Sequence, residues 1–119
     1  MSYQILRTDK ADEQLRDIIF YIADDSGSVD IALNYLEKIE KAINKKAINN
    51  LKDFPYSGSV PHYATLRRQG YRVLIVERHL VFYNVNESQQ IVTIYAVVDG
   101  RRESQNYYNQ KTELPLYLR

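Results

Sequence analysis

The hydrophobic period of this sequence changes near residue 54, and that change constrains the fold more than any other feature. Before it, apolar residues recur every three or four positions, which predicts amphipathic helices. Between residues 71 and 98, apolar and β-branched residues instead fill three short runs, which predicts strands. The dividing segment, 54–61, contains two prolines and a glycine and ends the helical pattern. Helices followed by strands indicate an α+β fold whose helices cover one face of a sheet.

Two helices are predicted in the first half of the chain. Asp9 caps the first, which presents an apolar face made of Leu15, Ile18, Ile19 and Ile22. Ser26 or Ser28 caps the second after a short polar turn, so the two helices should form an antiparallel hairpin. The second helix is predicted from about Val29 to Asp53, with one face formed by Ala32, Leu36, Ile39, Ile43, Ala47 and Leu51.

A short repeat lies inside the second helix. The letters Lys-Ala-Ile-Asn occupy residues 41–44 and again residues 46–49. A step of five residues turns a helix by roughly 140° beyond one full turn, so Ile43 and Ile48 cannot both face the core. We interpret the repeat as a local lengthening of the helix.

Four strands are predicted around this hairpin. Residues 3–8 alternate in polarity, which is typical of an edge strand, and three further strands occupy residues 71–76, 80–85 and 91–98. Their short connections predict an antiparallel meander. The expected fold is an N-terminal strand, an antiparallel two-helix hairpin and a curved, mostly antiparallel sheet of four to five strands. We expect one domain over residues 1–119, with a core at about 3–108 and a C-terminal tail at 109–119.

Composition excludes several classes of function. The chain has no cysteine, and its two histidines, His62 and His79, have no carboxylates at metal-ligand spacing, so we expect neither a metal nor another cofactor. The first residues contain no long apolar run of the kind found in signal peptides or membrane spans. We therefore expect a soluble cytoplasmic protein without membrane contact.

Charge is distributed unevenly, although the net charge is only +1. Residues 1–63 contain eight Lys/Arg and ten Asp/Glu, whereas residues 64–119 contain eight and five. The second half prefers arginine, whose planar guanidinium suits phosphate binding. The 11 tyrosines are also typical of interfaces, although core packing would explain many of them.

Four motifs in a fixed order carry a resemblance to a known family. They are Phe54-Pro55-x-x-Gly58 after the hairpin, Leu66-Arg67-x-x-Gly70-Tyr71-Arg72, the strand 80–85, and Asp99-Gly100-Arg101-Arg102-Glu103 after the last strand. None is specific alone, but together they cover about residues 3–108 and resemble the RelE/ParE toxins of type II toxin–antitoxin systems.

The resemblance implies a toxin that a cognate antitoxin protein keeps inactive. RelE-like members enter the ribosome and cut mRNA, whereas ParE-like members inhibit DNA gyrase without catalysis, so the fold does not decide the mechanism. The antitoxin should bind the hairpin and the sheet edge, as a helix in a groove or as an added strand. Promoter DNA would be bound only through the antitoxin. A homodimer is a further partner to consider, as is an inactive module that only binds its antitoxin.

The RelE-like alternative, which the sequence favours slightly, implies specific site residues. RNA cleavage without metal needs a base, cations beside the phosphorane and an acid. Arg72 and Arg102 match basic positions of that branch, Tyr108 falls near its C-terminal aromatic residue, and His79 is a side-chain type that exchanges protons near neutral pH. These four are the expected catalytic residues, and the expected RNA-binding residues are Arg67, Arg68, Arg78, Arg101 and Tyr107.

Structural roles compete with these assignments. His79 could cap a tight connection, Tyr107 and Tyr108 could pack on the hairpin, and Arg72 could pair with Glu77 or Glu103. The chain also departs from the nuclease pattern. Leu74 replaces an expected lysine, the net charge is low for a ribosome ligand, and the tail 109–119 is longer than usual. The nuclease reading requires that Arg72, Arg78 and Arg102 gather on the open side of the sheet.

Overall fold

A computed structural model describes residues 2–100 and Leu118, apart from the side chain of Ile48. The strand–helix–helix–strands order predicted from the sequence is confirmed. The elements are β1 (Gln4–Arg7), α1 (Asp9–Ser26), α2 (Val29–Lys46), a π-helical turn (Ala47–Leu51), α3 (Ala64–Arg68), β2 (Arg72–Val76), β3 (His79–Asn86) and β4 (Ile91–Asp99).

The first helix begins one residue earlier than the sequence suggested. Thr8, not Asp9, is its N-cap: the Thr8 backbone is extended and its Oγ1 accepts a hydrogen bond from Ala11 N at 3.1 Å. Asp9 is the first residue inside the helix, where its charge favours the positive N-terminal end. Ser28, one of the two predicted candidates, is the N-cap of α2 and accepts a hydrogen bond from Ile31 N at 3.2 Å.

The second helix does not continue as an α-helix to residue 53. It ends at Lys46, and the next turn is π-helical, with Lys52 N donating to Ala47 O at 3.1 Å. This wider turn overlaps the second copy of the Lys-Ala-Ile-Asn repeat, at residues 46–49. It keeps Ile43, Ala47 and Leu51 on one buried face, because a wider turn offsets the drift that four-residue spacing accumulates in an α-helix.

The sheet has the strand order β1-β4-β3-β2. β2, β3 and β4 form the predicted antiparallel meander, and β1 lies at an edge, parallel to β4. A two-residue turn joins β2 to β3, so His79 is the first residue of β3 and does not cap the connection. The register between β3 and β4 shifts at Phe82/Tyr83, which leaves Tyr95 as an extra residue in β4.

Both faces of the sheet are covered among the described residues. The hairpin covers one face, where Leu15 and Ile39 pack against strand residues such as Val81 and Ile94. Arg7 contacts both Asp12 of α1 and Glu40 of α2, as expected when the two helices run antiparallel. On the opposite face, Tyr63, Leu66 and Leu118 pack against Val73, Phe82 and Val98.

The short helix α3 was not predicted. Its five residues are too few to show a helical period, and Leu66 is its one buried position. Leu66 is 2% exposed and contributes to the cluster on the sheet face opposite the hairpin. The face that we expected to be open is therefore partly occupied.

Candidate functional site

Arg72 lies in a compact arrangement that we call the Gly58 corner, defined by Tyr56, Gly58, Arg72 and Tyr83. The Arg72 guanidinium donates long hydrogen bonds to Tyr56 O (3.4 Å) and Gly58 O (3.3 Å) and lies 5.5 Å from the Tyr56 ring centroid. Tyr83, which pairs with Arg72 across the strands, accepts a bond from Gly58 N at 2.9 Å through its hydroxyl. Arg72 thus holds the loop after the hairpin against the sheet. Glu77, one of its two expected partners, pairs instead with Lys38, and Glu103 lies outside the described residues.

Gly58 is required by the close approach of the loop to the sheet. A Cβ atom at this position would lie 2.6 Å from the Tyr83 hydroxyl and 2.7 Å from Val73 O. Such distances are far below van der Waals contact, so any other residue must displace the loop. The glycine of the Phe-Pro-x-x-Gly motif is explained by packing.

Hydrogen bonds and burial also perturb the tyrosines of the corner. Tyr56 donates to Glu87 Oε1 at 2.6 Å, and this hydrogen bond is the main reason that its pKa is raised to about 12. Burial raises the pKa of Tyr83, opposed by the Gly58 N–H and the Arg72 charge. Both hydroxyls therefore stay protonated at physiological pH, where Tyr56 donates to Glu87 and Tyr83 accepts from Gly58 N.

The arginines of α3 divide between structure and surface. Arg67 donates to Pro61 O at 3.1 Å and His62 O at 2.7 Å, so its guanidinium closes the loop that precedes α3. Arg68 is exposed at the C-terminal end of the helix. Of the two predicted RNA-binding arginines on α3, one is therefore engaged with backbone carbonyls.

His79 is buried at the opposite end of the sheet. It is 4% exposed, and its Nε2 lies 2.9 Å from the Tyr35 hydroxyl of α2. The two rings meet edge to face with centroids 6.0 Å apart. His79 therefore connects the hairpin to the start of β3, a packing role that the sequence did not reveal because Tyr35 is 44 residues away.

The expected gathering of arginines on an open sheet face does not occur among the described residues. Arg72 is on the hairpin side of the sheet, since it shares that face with Leu74 and Tyr83. It pairs with Tyr83, four residues from His79, so about 13 Å of strand separates Arg72 from His79. Arg78 occupies the exposed turn beyond the far end of β2. Arg101, Arg102, Tyr107 and Tyr108 lie outside the described residues.

A cleft of about 1010 Å³ opens between the hairpin and the end of the sheet where β3 begins; we call it the hairpin cleft. Tyr35, His79, Val97 and Val98 lie at its base. The α1 wall carries acidic and apolar side chains, and α2 adds Ile31. Its lining residues are Lys10, Glu13, Gln14, Asp17, Ile18, Tyr21, Ile22, Asp25, Ser26, Ile31, Tyr35, Arg78, His79 and 97–99.

The cleft could not be predicted from the sequence, because its walls are distant in the chain. Gln14 shows how they are joined: its Oε1 accepts a bond from Val97 N at 2.8 Å, across 83 residues. The signal available in the sequence was the four-residue spacing of Glu13 with Asp17 and of Ile18 with Ile22, which places an acidic strip beside an apolar one on α1.

The outer edge of β2 is already occupied. Ser59 exchanges two backbone hydrogen bonds of 2.8 Å with Val73. Further along, Lys46 Nζ donates to Ile75 O at 2.6 Å. These contacts obstruct the addition of another strand at this edge.

The outer edge of β1 is more accessible. Gln4 N and Thr8 N donate toward β4, to Gln90 O at 2.9 Å and Ile94 O at 3.0 Å. In a parallel strand the alternate residues direct their backbone groups the other way, which here means Ile5 and Arg7. Within the described part of the chain, Ile5 and Arg7 therefore offer backbone groups to an incoming strand, whereas Tyr3 N, just before β1, already donates to Lys52 O at 2.9 Å.

Within residues 2–100 and Leu118, no three His, Asp or Glu side chains cluster in a way that could hold a metal ion. No helix in that part of the chain is long and apolar enough to cross a membrane.

Comparison with known proteins places this geometry in a family context. The family described as the ParE toxin of the type II toxin–antitoxin system parDE matches residues 5–104. The fold is similar to a chain of the chromosomal ParDE system from P. aeruginosa, with a TM-score of 0.64, 17% identity, and coverage of 82% of this chain and 96% of that one. It is also similar to a chain of the RelBE2 toxin–antitoxin complex from Mycobacterium tuberculosis, with a TM-score of 0.55, 16% identity, and coverage of 83% and 99%. No protein of curated function matches the sequence.

Proposed function

The chain belongs to the ParE toxin family of type II toxin–antitoxin systems, and we propose that it arrests growth by binding DNA gyrase rather than by cutting RNA. In this proposal a cognate antitoxin binds the hairpin cleft and the edge of β1, and keeps the toxin inactive. The toxin itself needs no acid–base chemistry, because an inhibitor of this kind acts through its contact surface. Promoter DNA is bound only through the antitoxin.

The state of Arg72 is the observation that carries the proposal. An arginine that stabilises a phosphorane must direct its N–H donors at the substrate. Arg72 instead directs them at the carbonyl oxygens of Tyr56 and Gly58. Arg67 is engaged in the same manner, and His79 lies about 13 Å along the sheet from Arg72, beneath Tyr35.

The distribution of charge supports the same conclusion. A ribosome ligand approaches a dense array of phosphates, and binding of that kind depends on many cationic contacts. This chain has a net charge of +1, and the hairpin cleft is lined by four acidic and two basic side chains. A protein target places no such demand on charge.

The RelE-like alternative remains the main competitor. It assigns ribosome-dependent mRNA cleavage to Arg72, Arg102, His79 and Tyr108, with phosphate contacts from Arg67, Arg68, Arg78, Arg101 and Tyr107. It would need Arg72 to leave its carbonyl partners when RNA binds. The third hypothesis, an inactive module that only engages its antitoxin, predicts a stable complex without growth arrest.

One experiment separates the three hypotheses. The chain is induced in growing cells, and purified protein is added to gyrase with supercoiled plasmid. We expect growth arrest, linear plasmid released from cleaved DNA–gyrase complexes, and no codon-phased cuts in primer extension on translated mRNA. Unimpaired supercoiling at excess protein, together with codon-phased cuts, would refute the gyrase proposal.

A matched variant makes the distinction sharper. Arg102→Ala/Tyr108→Phe removes two groups that the nuclease hypothesis requires and changes none of the four residues that define the Gly58 corner. Under the gyrase proposal this variant still produces cleaved gyrase complexes. If the variant still binds its antitoxin but no longer arrests growth or produces cleaved gyrase complexes, the result supports the nuclease hypothesis and contradicts the gyrase proposal.

A further inference from the structure

The hairpin cleft combines exposed apolar side chains with an excess of negative charge. Tyr21 is 64% exposed and Ile31 is 54% exposed, on opposite walls of the cleft. Ile18 and Ile22 line it between them and are half-buried. Apolar groups collected in a concave surface favour a partner that removes them from water.

The carboxylates on the α1 wall are available to such a partner. Glu13, Asp17 and Asp25 make no ion pair with any other residue that the structure describes, whereas Asp12 is paired with Arg7. Lys10, the basic residue on the same wall, is directed at Tyr95: its Nζ is 3.0 Å from the Tyr95 hydroxyl and 4.5 Å from the ring centroid. Tyr95 in turn donates to Leu118 O at 2.8 Å, which fixes this arrangement.

The size of the cleft fits a peptide segment. A helix about 10 Å in diameter would fill about 1010 Å³ over roughly two turns. Nucleic acid is disfavoured, because phosphates would approach a surface with four acidic side chains. The complementary occupant is a segment with apolar residues on one face and Lys or Arg beside them.

Resting on the proposed function, we propose that the hairpin cleft binds a cationic amphipathic segment of the antitoxin. Its apolar residues pack between Tyr21 and Ile31, and its Lys or Arg side chains pair with Glu13, Asp17 and Asp25. Because these pairs are electrostatic, the segment must be positively charged and its binding affinity must depend on the salt concentration. Binding weakens between roughly 0.1 and 1 M salt, as the screening length falls from about 10 Å to about 3 Å.

Two synthetic peptides test the chemistry directly. Each is an amphipathic helix of about five turns, or roughly 18 residues, with the same leucine face, and they differ only in bearing Lys or Glu beside it. We expect the Lys peptide to bind the full chain at least tenfold more tightly than the Glu peptide at low salt. Equal binding, or tighter binding of the Glu peptide, would overturn the inference.

Charge reversal locates the binding. Glu13→Lys/Asp17→Lys should weaken binding of the Lys peptide at least tenfold. The matched control Asp24→Lys/Asp53→Lys makes the same change in net charge at exposed positions outside the cleft lining and should weaken it less than twofold. Should Glu13→Lys/Asp17→Lys disturb the circular dichroism spectrum, Glu13→Gln/Asp17→Asn replaces it, with an expected loss of about threefold. Equal losses in the cleft variants and their control would overturn the inference.

Neutralisation in cells separates this inference from the proposed function. The product of the adjacent reading frame is co-expressed with the wild-type chain or with Glu13→Lys/Asp17→Lys. We expect both to arrest growth alone, and only the wild type to be rescued. If both arrest growth and both are rescued equally, the cleft assignment is wrong while the toxin function stands. If the Lys peptide binds through the cleft but the wild-type chain never arrests growth, the toxin activity is wrong instead.

Discussion

The Gly58 corner and the hairpin cleft differ in how many of their polar side chains contact other groups of the described chain. At the corner, Gly58 N, the Tyr83 hydroxyl and the Arg72 guanidinium all contact one another or nearby carbonyls. In the cleft, Glu13, Asp17 and Asp25 have no ionic partner in the described chain, and Tyr21 is largely exposed. The corner is formed by residues from three of the motifs that resemble the family, whereas the described lining of the cleft contains one motif residue, Asp99. Recognisable motifs here mark structure, and the surface available for binding lies elsewhere.

The largest expected effect breaks the corner itself. Gly58→Ala introduces a Cβ only 2.6 Å from the Tyr83 hydroxyl and 2.7 Å from Val73 O. We expect a loss of about 3 kcal/mol in the free energy of unfolding, because the loop must move away and weaken its hydrogen bonds. Urea unfolding of the variant and the wild type measures this difference in the free energy of unfolding. The neighbouring Ser57→Ala, at an exposed position, should change stability by less than about 0.5 kcal/mol; an equally small effect of Gly58→Ala would show that the corner is loosely packed.

The next effect tests whether tight packing extends to the face opposite the hairpin. Leu118 is 1% exposed there, among Tyr63, Leu66 and Phe82. Leu118→Ala should cost about 2 kcal/mol in the free energy of unfolding, the low end of the usual range for a buried leucine. Leu33→Ala, at a leucine of α2 that is 51% exposed, is the matched control and should lower the melting temperature far less. Equal melting temperatures for the two variants would contradict the burial of Leu118.

A smaller effect tests the base of the cleft. Tyr35→Phe removes the hydroxyl that lies 2.9 Å from His79 Nε2 and should cost about 1 kcal/mol, the usual net contribution of a hydrogen bond. Tyr21→Phe, on the exposed wall of the same cleft, should leave stability unchanged. Thermal unfolding compares the two. If Tyr21→Phe proved the more costly, the contrast between a packed base and an open wall would be wrong.

The smallest effect concerns the rim of the corner. Tyr56 donates to Glu87, and its pKa is raised to about 12. Because the folded chain keeps this proton while the unfolded chain loses it near pH 10, the associated stability is fully present below pH 10 and is lost as pH rises toward 12. Glu87→Gln should lower the pKa of Tyr56 toward 10.

Alkaline titration of tyrosinate absorbance, taken as the difference between each protein and its Tyr56→Phe counterpart, isolates this group. Asp53→Asn removes an acidic charge elsewhere and should leave the difference curve unshifted. A difference curve that is the same with and without Glu87 would exclude the Glu87 hydrogen bond as the cause.

Much of the fold followed from local patterns. The hairpin, the meander and the edge strand were predicted because each depends on polarity repeating over a few residues. Two helix boundaries were predicted wrongly by a few residues. The N-cap of α1 is Thr8 and not Asp9, and α2 ends early because its last turn is π-helical. The helix α3 escaped prediction because a five-residue helix shows no period.

The candidate site could be predicted much less well. The resemblance identified Arg72 and Gly58 as notable positions, but not that they contact each other across the loop and the sheet. His79 was singled out as a proton-transfer group, and only the folded chain reveals its contact with Tyr35. Nothing in the sequence around the acidic residues of α1 indicates that Val97 and Val98 complete a cleft beside them.

The sequence by itself determined the order and type of the main elements and the family to which they belong, because hydrophobic period and short motifs are properties of contiguous residues. Only the tertiary structure decided which side chains are engaged and which are available. That decision depends on strand register and helix packing between segments up to 87 residues apart, as in the bond from Thr8 Oγ1 to Tyr95 O. The strand register placed Arg72 and His79 about 13 Å apart along the sheet, although both were expected in one catalytic site.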